Sequence, residues 1–344
     1  MRVSAAKCYA PDMTLATKIS YLLMTLLLVV MMAFGLAHVL LAALFAFMFM
    51  EVLFRLFRGH MPKLAARWLA MLGFLSIAAF LGFIFATFIK QTLFTIPSIV
   101  EDAFPRILAM AQAYGLTLPF ENFQELRDMA NSKLLVNAMT ITKASSYLTR
   151  EVFHVILGIS VAVFYFLADK APEYKSNLFD AVRKETNARI RKFMYSFHKV
   201  LGGQLVISAI NAMLTALFLY LVAMPHLAFL TVMTFVIGIM PILGNVISNT
   251  VIVITALGIS LKIAALALAF LIVIHKLEYF LNSRIMGASI NMPMWQTLLS
   301  ILMGSIVMGF AGIMLAPAIL HYIKSELQAI PLEKAQQNAS AGPA

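Results

Sequence analysis

Apolar residues run along this chain in long blocks separated by short polar or basic segments. The first block extends from Leu15 to Phe54 and is broken only by Lys18, His38 and Glu51. A helix crosses about 30 Å of hydrocarbon with about 20 apolar residues rising 1.5 Å each. This block is therefore about twice too long for one helix, and it reads as two, 15–34 and 36–54, turning near Gly35. Apolar sequence continues past any point at which a signal peptide would be cleaved, which argues against one. Further spans are predicted at 68–89, 152–168, 200–223 (ended by Pro225), 262–281 and 295–322. The run 227–257 is interrupted by Met240-Pro241-Ile242-Leu243-Gly244-Asn245, and reads either as one bent span or as a re-entrant hairpin. The pattern predicts an all-α polytopic integral membrane protein of about eight transmembrane helices, one of them broken.

Between the spans the period changes from continuous to amphipathic. In 98–115 Val100, Phe104, Ile107, Leu108 and Ala111 recur at helical spacing. Pro105 is expected to start or kink that helix, and Gly115 to stop it. A second helix is expected over 121–143, with Phe123, Leu126, Ala130 and Leu134 on one face. The pair reads as helices lying on the outer membrane surface, with a lid over a transport path as the sharper alternative. The segment 172–199 opens on Pro172, a good first-turn residue. Ile190, Phe193, Met194, Phe197 and Leu201 form one face, and Arg183, Arg189, Arg191 and Lys192 lie largely off it. A basic amphipathic helix beside a span suits anionic lipid, and an oligomer contact is the alternative.

Charge then sets the orientation. Lysine and arginine concentrate in short cytoplasmic loops. Here they gather at the N-terminus (Arg2, Lys7, Lys18), after the second span (Arg55, Arg58, Lys63, Arg67) and in 169–199, whereas 90–151 holds six basic and six acidic residues. The N- and C-termini and both basic segments are thus expected in the cytoplasm and 90–151 outside, in the inner membrane of a cell. The domain organisation expected is 1–89 for the N-terminal spans, 90–151 for the extracytoplasmic helices, 152–323 for the C-terminal membrane region including 172–199, and 324–344 for a cytoplasmic tail. Topology accounts for most of the net charge of +11, so no nucleic-acid partner is expected. The chain of 344 residues is 62% hydrophobic and 12% charged, with a mean hydropathy of +0.91. Soluble proteins hold about twice that share of charge, which excludes an ordinary soluble enzyme. One cysteine, Cys8, excludes a disulfide framework and a multi-cysteine metal site.

What remains is the polar chemistry inside the spans. No phosphate-binding Gly-rich loop, His-Glu-x-x-His pair or Gly-x-Ser-x-Gly elbow occurs, so no enzyme and no cofactor is predicted. Transport of a small molecule or ion is the default. Pro241 removes a backbone donor and Gly244 adds freedom inside an apolar run, with Asn245, Ser248 and Asn249 next in line. In lipid, broken helices are tolerated where protein or a wet cavity satisfies the backbone, and transporters use them at substrate sites. A simple turn at the membrane surface is the other reading. Glu278, with Lys276 and His275, interrupts 262–281 and is the best proton or cation candidate of the C-terminal half. Gly304, Gly309 and Gly312 suggest close helix packing, and Pro317 a kink. His38, His226 and His321 stand alone in the sequence and read as satisfied or interfacial rather than as metal ligands, so no metal site is predicted. The long amphipathic segments would suit a homo-oligomer.

Four pieces in order resemble the autoinducer-2 exporter-like transporter family. They are Leu201-Gly202-Gly203-Gln204-Leu205; Met224-Pro225 with Ile239-Met240-Pro241-Ile242-Leu243-Gly244; Glu278-Tyr279-Phe280-Leu281-Asn282-Ser283-Arg284-Ile285-Met286-Gly287; and Gly304 with Gly309-Phe310-Ala311-Gly312-Ile313-Met314-Leu315-Ala316-Pro317. They cover about 200–320. Asn245, Met292 and Ser283 stand where the family often has proline, histidine and proline. The resemblance implies a permease exporting a small solute, with a signalling furanone as the name-giving cargo and sodium/proton antiport reported for some relatives. On this reading Pro241, Gly244, Asn245 and Asn249 form the broken-helix part of the pathway. Glu278, Asn282 and Arg284 line or gate it, and Gly304, Gly309, Gly312 and Pro317 allow packing and movement. A non-transporting membrane scaffold is the rival of a different class.

Overall fold

The computed structural model describes residues 14–116, 119–120, 122–135, 138–168, 174–240, 243–282 and 293–329, with side chains for all of these except 130–148, 243, 279, 282 and 294. Ten helices and no strand occur among them: α1 Leu15–Ala33, α2 Ala37–Arg58, α3 Lys63–Ala113, α4 Phe123–Leu135, α5 Ala138–Leu167, α6 Leu178–Leu221, α7 Leu227–Gly238, α8 Leu243–Ile259, α9 Leu261–Asn282 and α10 Met294–Ala329. The protein is all-α and polytopic, as the apolar blocks require. Six of these helices are long and apolar enough to cross a membrane: α1, α2, α3, α5 through Thr149–Leu167, α6 and α10. Their exposed faces carry Leu22, Phe80, Phe83, Phe94, Phe164 and Ile306, a density of bare apolar surface that water would not tolerate and lipid does.

The chain divides into two compact units. One comprises Met1–Ala37, Asp169–Phe197 and Met292–Ala344, and the other His38–Ala168 and His198–Asn291. α1 ends as expected beside Gly35, whose φ of +66° is a left-handed conformation that stops the helix. There the Leu36 and Gly35 amides donate to the Met31 and Met32 carbonyls, closing the last turn.

Three expectations change. First, 98–113 is no separate helix. α3 continues from its span through Pro97 and Pro105 for 51 residues, about 76 Å. An internal proline costs about 3 kcal/mol or more. Here Ile99, Ala103 and Phe104 are buried beyond the first proline, and Arg106 donates to the Gly258 carbonyl at the end of α8. Packing thus keeps helical what local propensity would break, and this stretch continues the third span as one helix. Gly115 does terminate it, as the hydrogen bonds of Tyr114, Gly115 and Leu116 to the last turn show. Second, the helix expected over 121–143 is divided between α4 and the start of α5, so the latter runs unbroken into the fourth span. Third, the amphipathic segment and the fifth span form one 44-residue helix, α6. Its start is capped by Asn177, whose Oδ1 accepts from the Asp180 amide at 2.7 Å; Pro172 lies outside the described residues. Phe193 and Phe197 are buried as expected, but so is Arg189, whose guanidinium sits 4.0 Å from the centre of the Tyr21 ring. Lys192 pairs with Glu326 at 3.3 Å. Two of the four basic residues expected to face lipid headgroups therefore turn onto protein.

The interrupted run 227–257 is a hairpin of two packed helices, α7 and α8. At 12 and 17 residues they reach about 18 and 26 Å, short of the hydrocarbon thickness. Gly244 permits the reversal: a Cβ there would overlap the Ile237 carbonyl. α10 hides a second hairpin. Gly309 has φ 58° and ψ −139°, a conformation essentially reserved for glycine. A Cβ on Gly304 would lie 2.5 Å from the Cβ of Ala316, a separation that a continuous helix would stretch to about 18 Å. The span expected at 295–322 is thus two antiparallel arms, 294–308 and 310–329. A cavity of about 610 Å³ opens beside them, touched by Gln296 and Ser300 from one arm and Lys324 and Gln328 from the other.

Candidate functional site

In the second unit α3, α6, α7, α8 and α9 share a core that includes Ile99, Leu219, Phe229, Leu230, Ile252 and Ala267. Phe88 stacks on Phe229 with centroids 5.6 Å apart. Within this apolar assembly one polar seam runs along α6. Gln204, Ser208, Asn211 and Thr215 are all buried, and their spacing of four, three and four residues places them on one helix face. The seam faces α7. Gln204 donates from Nε2 to the Gly238 carbonyl at 3.0 Å, and Ser208 from Oγ to the Phe235 carbonyl at 2.7 Å. These are carbonyls that the end of α7 leaves without helical partners. Ser208 lies so near Gly238 that a Cβ on the glycine would sit 2.8 Å from its hydroxyl oxygen. Asn211 of α6 and Thr231 of α7 each bury a side-chain oxygen with no hydrogen-bond partner among the described residues.

The tip of the hairpin completes the seam. Asn245, in the first turn of α8, donates from Nδ2 to Oε2 of Glu278 on α9 at 2.5 Å. Glu278 is 7% exposed, so its carboxyl group is held in an apolar surround by an amide. One turn on, Ser248 is fully buried and returns its hydroxyl to the Gly244 carbonyl at 3.0 Å. Asn249 is half-buried on the same helix. The structure thus joins Gly244, Asn245 and Glu278 at the level where Gln204 meets Gly238. Asn282 ends α9, and Pro241 and Arg284 lie outside the described residues. Gly304, Gly309 and Gly312 belong to the other unit, where they build the fold-back of α10, and Pro317 lies in its second arm. The residues that sequence reasoning missed are Ser208, Asn211 and Thr215. Their signal was present in the 200–223 span as polar positions at helical spacing.

His38 has a protein partner, as a satisfied histidine should. His38, alone in the sequence, contacts Glu151 at 2.8 Å, and His154 lies 3.3 Å from the same carboxylate oxygen.

Long apolar helices, two glycine-dependent hairpins and a buried polar seam define a multi-pass membrane protein. The sequence matches the AI-2E family transporter profile over residues 19–332, and the chain belongs to that family. It is also 26% identical over 176 residues, 49% of this chain, to "Putative transport protein YdbI" of Bacillus subtilis (strain 168). That match spans half of the relative's length.

Proposed function

We propose that this transporter exports a small polar solute across the inner membrane, with both termini in the cytoplasm, along a path lined by the α6 seam and the Asn245–Glu278 pair. The observation that carries this reading is the buried Glu278 carboxyl group bonded to an amide at the tip of a hairpin. Ionisable groups at membrane depth are expensive and mark substrate or ion pathways. Asn211 and Thr231 supply oxygens without partners among the described residues, where a solute's hydroxyl groups or water would be held. A furanone of the autoinducer-2 type, rich in hydroxyl groups, suits such donors and acceptors and is the first cargo to test. Gly309 and the glycine contacts of α10 would allow that hairpin to move. Counterflow of labelled cargo in proteoliposomes should fall in Asn245→Ala and in Asn211→Leu. Unchanged flux in both would remove the seam from the pathway.

The burial of Glu278 also supports a second reading, cation/proton exchange. In that case Glu278→Gln abolishes sodium-driven proton movement reported by a pH-sensitive dye inside the vesicles, while furanone counterflow is absent from the wild type.

A further inference from the structure

We infer that His38, Glu151 and His154 form a binding site for a divalent transition-metal ion of the zinc class. Their donor atoms lie within 4.8 Å of one another. Nδ1 of His38 and Nδ1 of His154 stand 2.8 and 3.3 Å from the same oxygen of Glu151. Ligands about 2.0–2.2 Å from a tetrahedral ion are separated by about 3.3–3.6 Å, so the ion is admitted when the His38–Glu151 pair opens by about half an ångström and the imidazoles turn to meet it. Two imidazoles and a carboxylate are a donor set suited to zinc, cobalt or nickel rather than to calcium or magnesium. Three protein ligands leave one coordination position for water or a solute.

The site is built, not incidental to a loop. His38 lies in the first turn of α2, and Glu151 and His154 lie one turn apart on α5. The two helices are locked immediately beyond them. Gly158, one turn after His154, approaches so closely that a Cβ would overlap the Val39 carbonyl and lie 2.9 Å from the Cβ of Ala42. Further along, Ala46, Met50, Ala162 and Phe166 continue the contact in a buried cluster. The donors are therefore presented by rigid helices whose separation the glycine sets. Arg150 holds the other carboxylate oxygen at 3.1 Å, which leaves Oε2 for the ion and orients the group as outer-shell partners do. The three side chains are 17%, 15% and 13% exposed, open enough for entry and closed enough to retain an ion.

The test uses the full chain in detergent, with any polyhistidine tag removed, titrated with Co2+ and followed by visible absorption. One equivalent should bind saturably, be displaced by Zn2+ and raise the thermal midpoint. His38→Ala and His154→Ala should each weaken binding by at least on the order of 10–100-fold. His226→Ala and His275→Ala, at histidines elsewhere in the chain, should leave it unchanged. Absence of saturable one-equivalent binding by the wild type overturns the proposal whatever the variants do. So does undiminished binding in the His38→Ala/His154→Ala double variant, and the three side chains are then a hydrogen-bonded cluster alone.

Discussion

If α10 folds back at Gly309, cysteines at 304 and 316 must be able to join. The Cβ that residue 304 would carry lies 2.5 Å from that of Ala316, whereas disulfides hold Cβ atoms about 3.5–4.5 Å apart. Opening the arms by about 1–2 Å would suffice, at the 1–3 kcal/mol typical of one overpacked contact. In a continuous helix the two positions stand about 18 Å apart, beyond any strain the backbone could absorb. The perturbation is Gly304→Cys with Ala316→Cys in a Cys8→Ser background, since Cys8 is the only native cysteine. After mild oxidation and denaturation, maleimide labelling should find both thiols consumed, and mass spectrometry should find the two peptides linked within one chain. Ile306→Cys with Ala316→Cys is the control, because Ile306 is 72% exposed and its thiol should remain free. Full labelling of the 304/316 pair would refute the fold-back and restore a single spanning helix.

The Asn245–Glu278 bond should appear as coupling between the two positions. Hydrogen bonds contribute about 0.5–1.5 kcal/mol net, and membrane-protein cycles average about 0.6 and reach about 1.7. A double-mutant cycle of Asn245→Ala and Glu278→Ala, read by unfolding in detergent, should therefore give about 0.5–1.5 kcal/mol, and strictly additive effects would show the pair to be independent. Ala223 closes α6 with φ 49°, a conformation costing non-glycine residues about 1–2 kcal/mol. Ala223→Gly should raise the unfolding midpoint, by up to about 1 kcal/mol of stability once the entropy of the unfolded glycine is counted, and a lowered midpoint would contradict that account.

The limits of legibility are physical. Hydropathy measures what a segment dissolves in, so it found the apolar blocks and the turn at Gly35. It says nothing of direction, and two antiparallel arms of α10 have the same composition as one long helix. Gly309 could be read as a packing residue because its backbone angles, not its identity, carry the reversal. Pro105 misled for the opposite reason: a local penalty is overridden by burial of Ile99, Ala103 and Phe104, which only tertiary structure reveals. Glu278 was conspicuous because one carboxylate in an apolar run stands out. Ser208, Asn211 and Thr215 did not, since hydroxyls and amides are common in spans and acquire meaning only when all prove buried on one face.

The hairpin of α7 and α8 has an electrical consequence. Its 33 residues, 227–259, include no charged side chain and no histidine. Its two helices run in opposite directions, so the partial charge of about half a unit at each helix end is set beside one of opposite sign. Their dipoles largely cancel along the membrane normal. A membrane potential works on displaced charge, at about 2.3 kcal/mol per elementary charge per 100 mV. Sliding this hairpin alone through the bilayer would move almost none, so voltage would neither drive nor resist that motion, and any voltage sensitivity must enter through charges elsewhere in the protein or on what it carries.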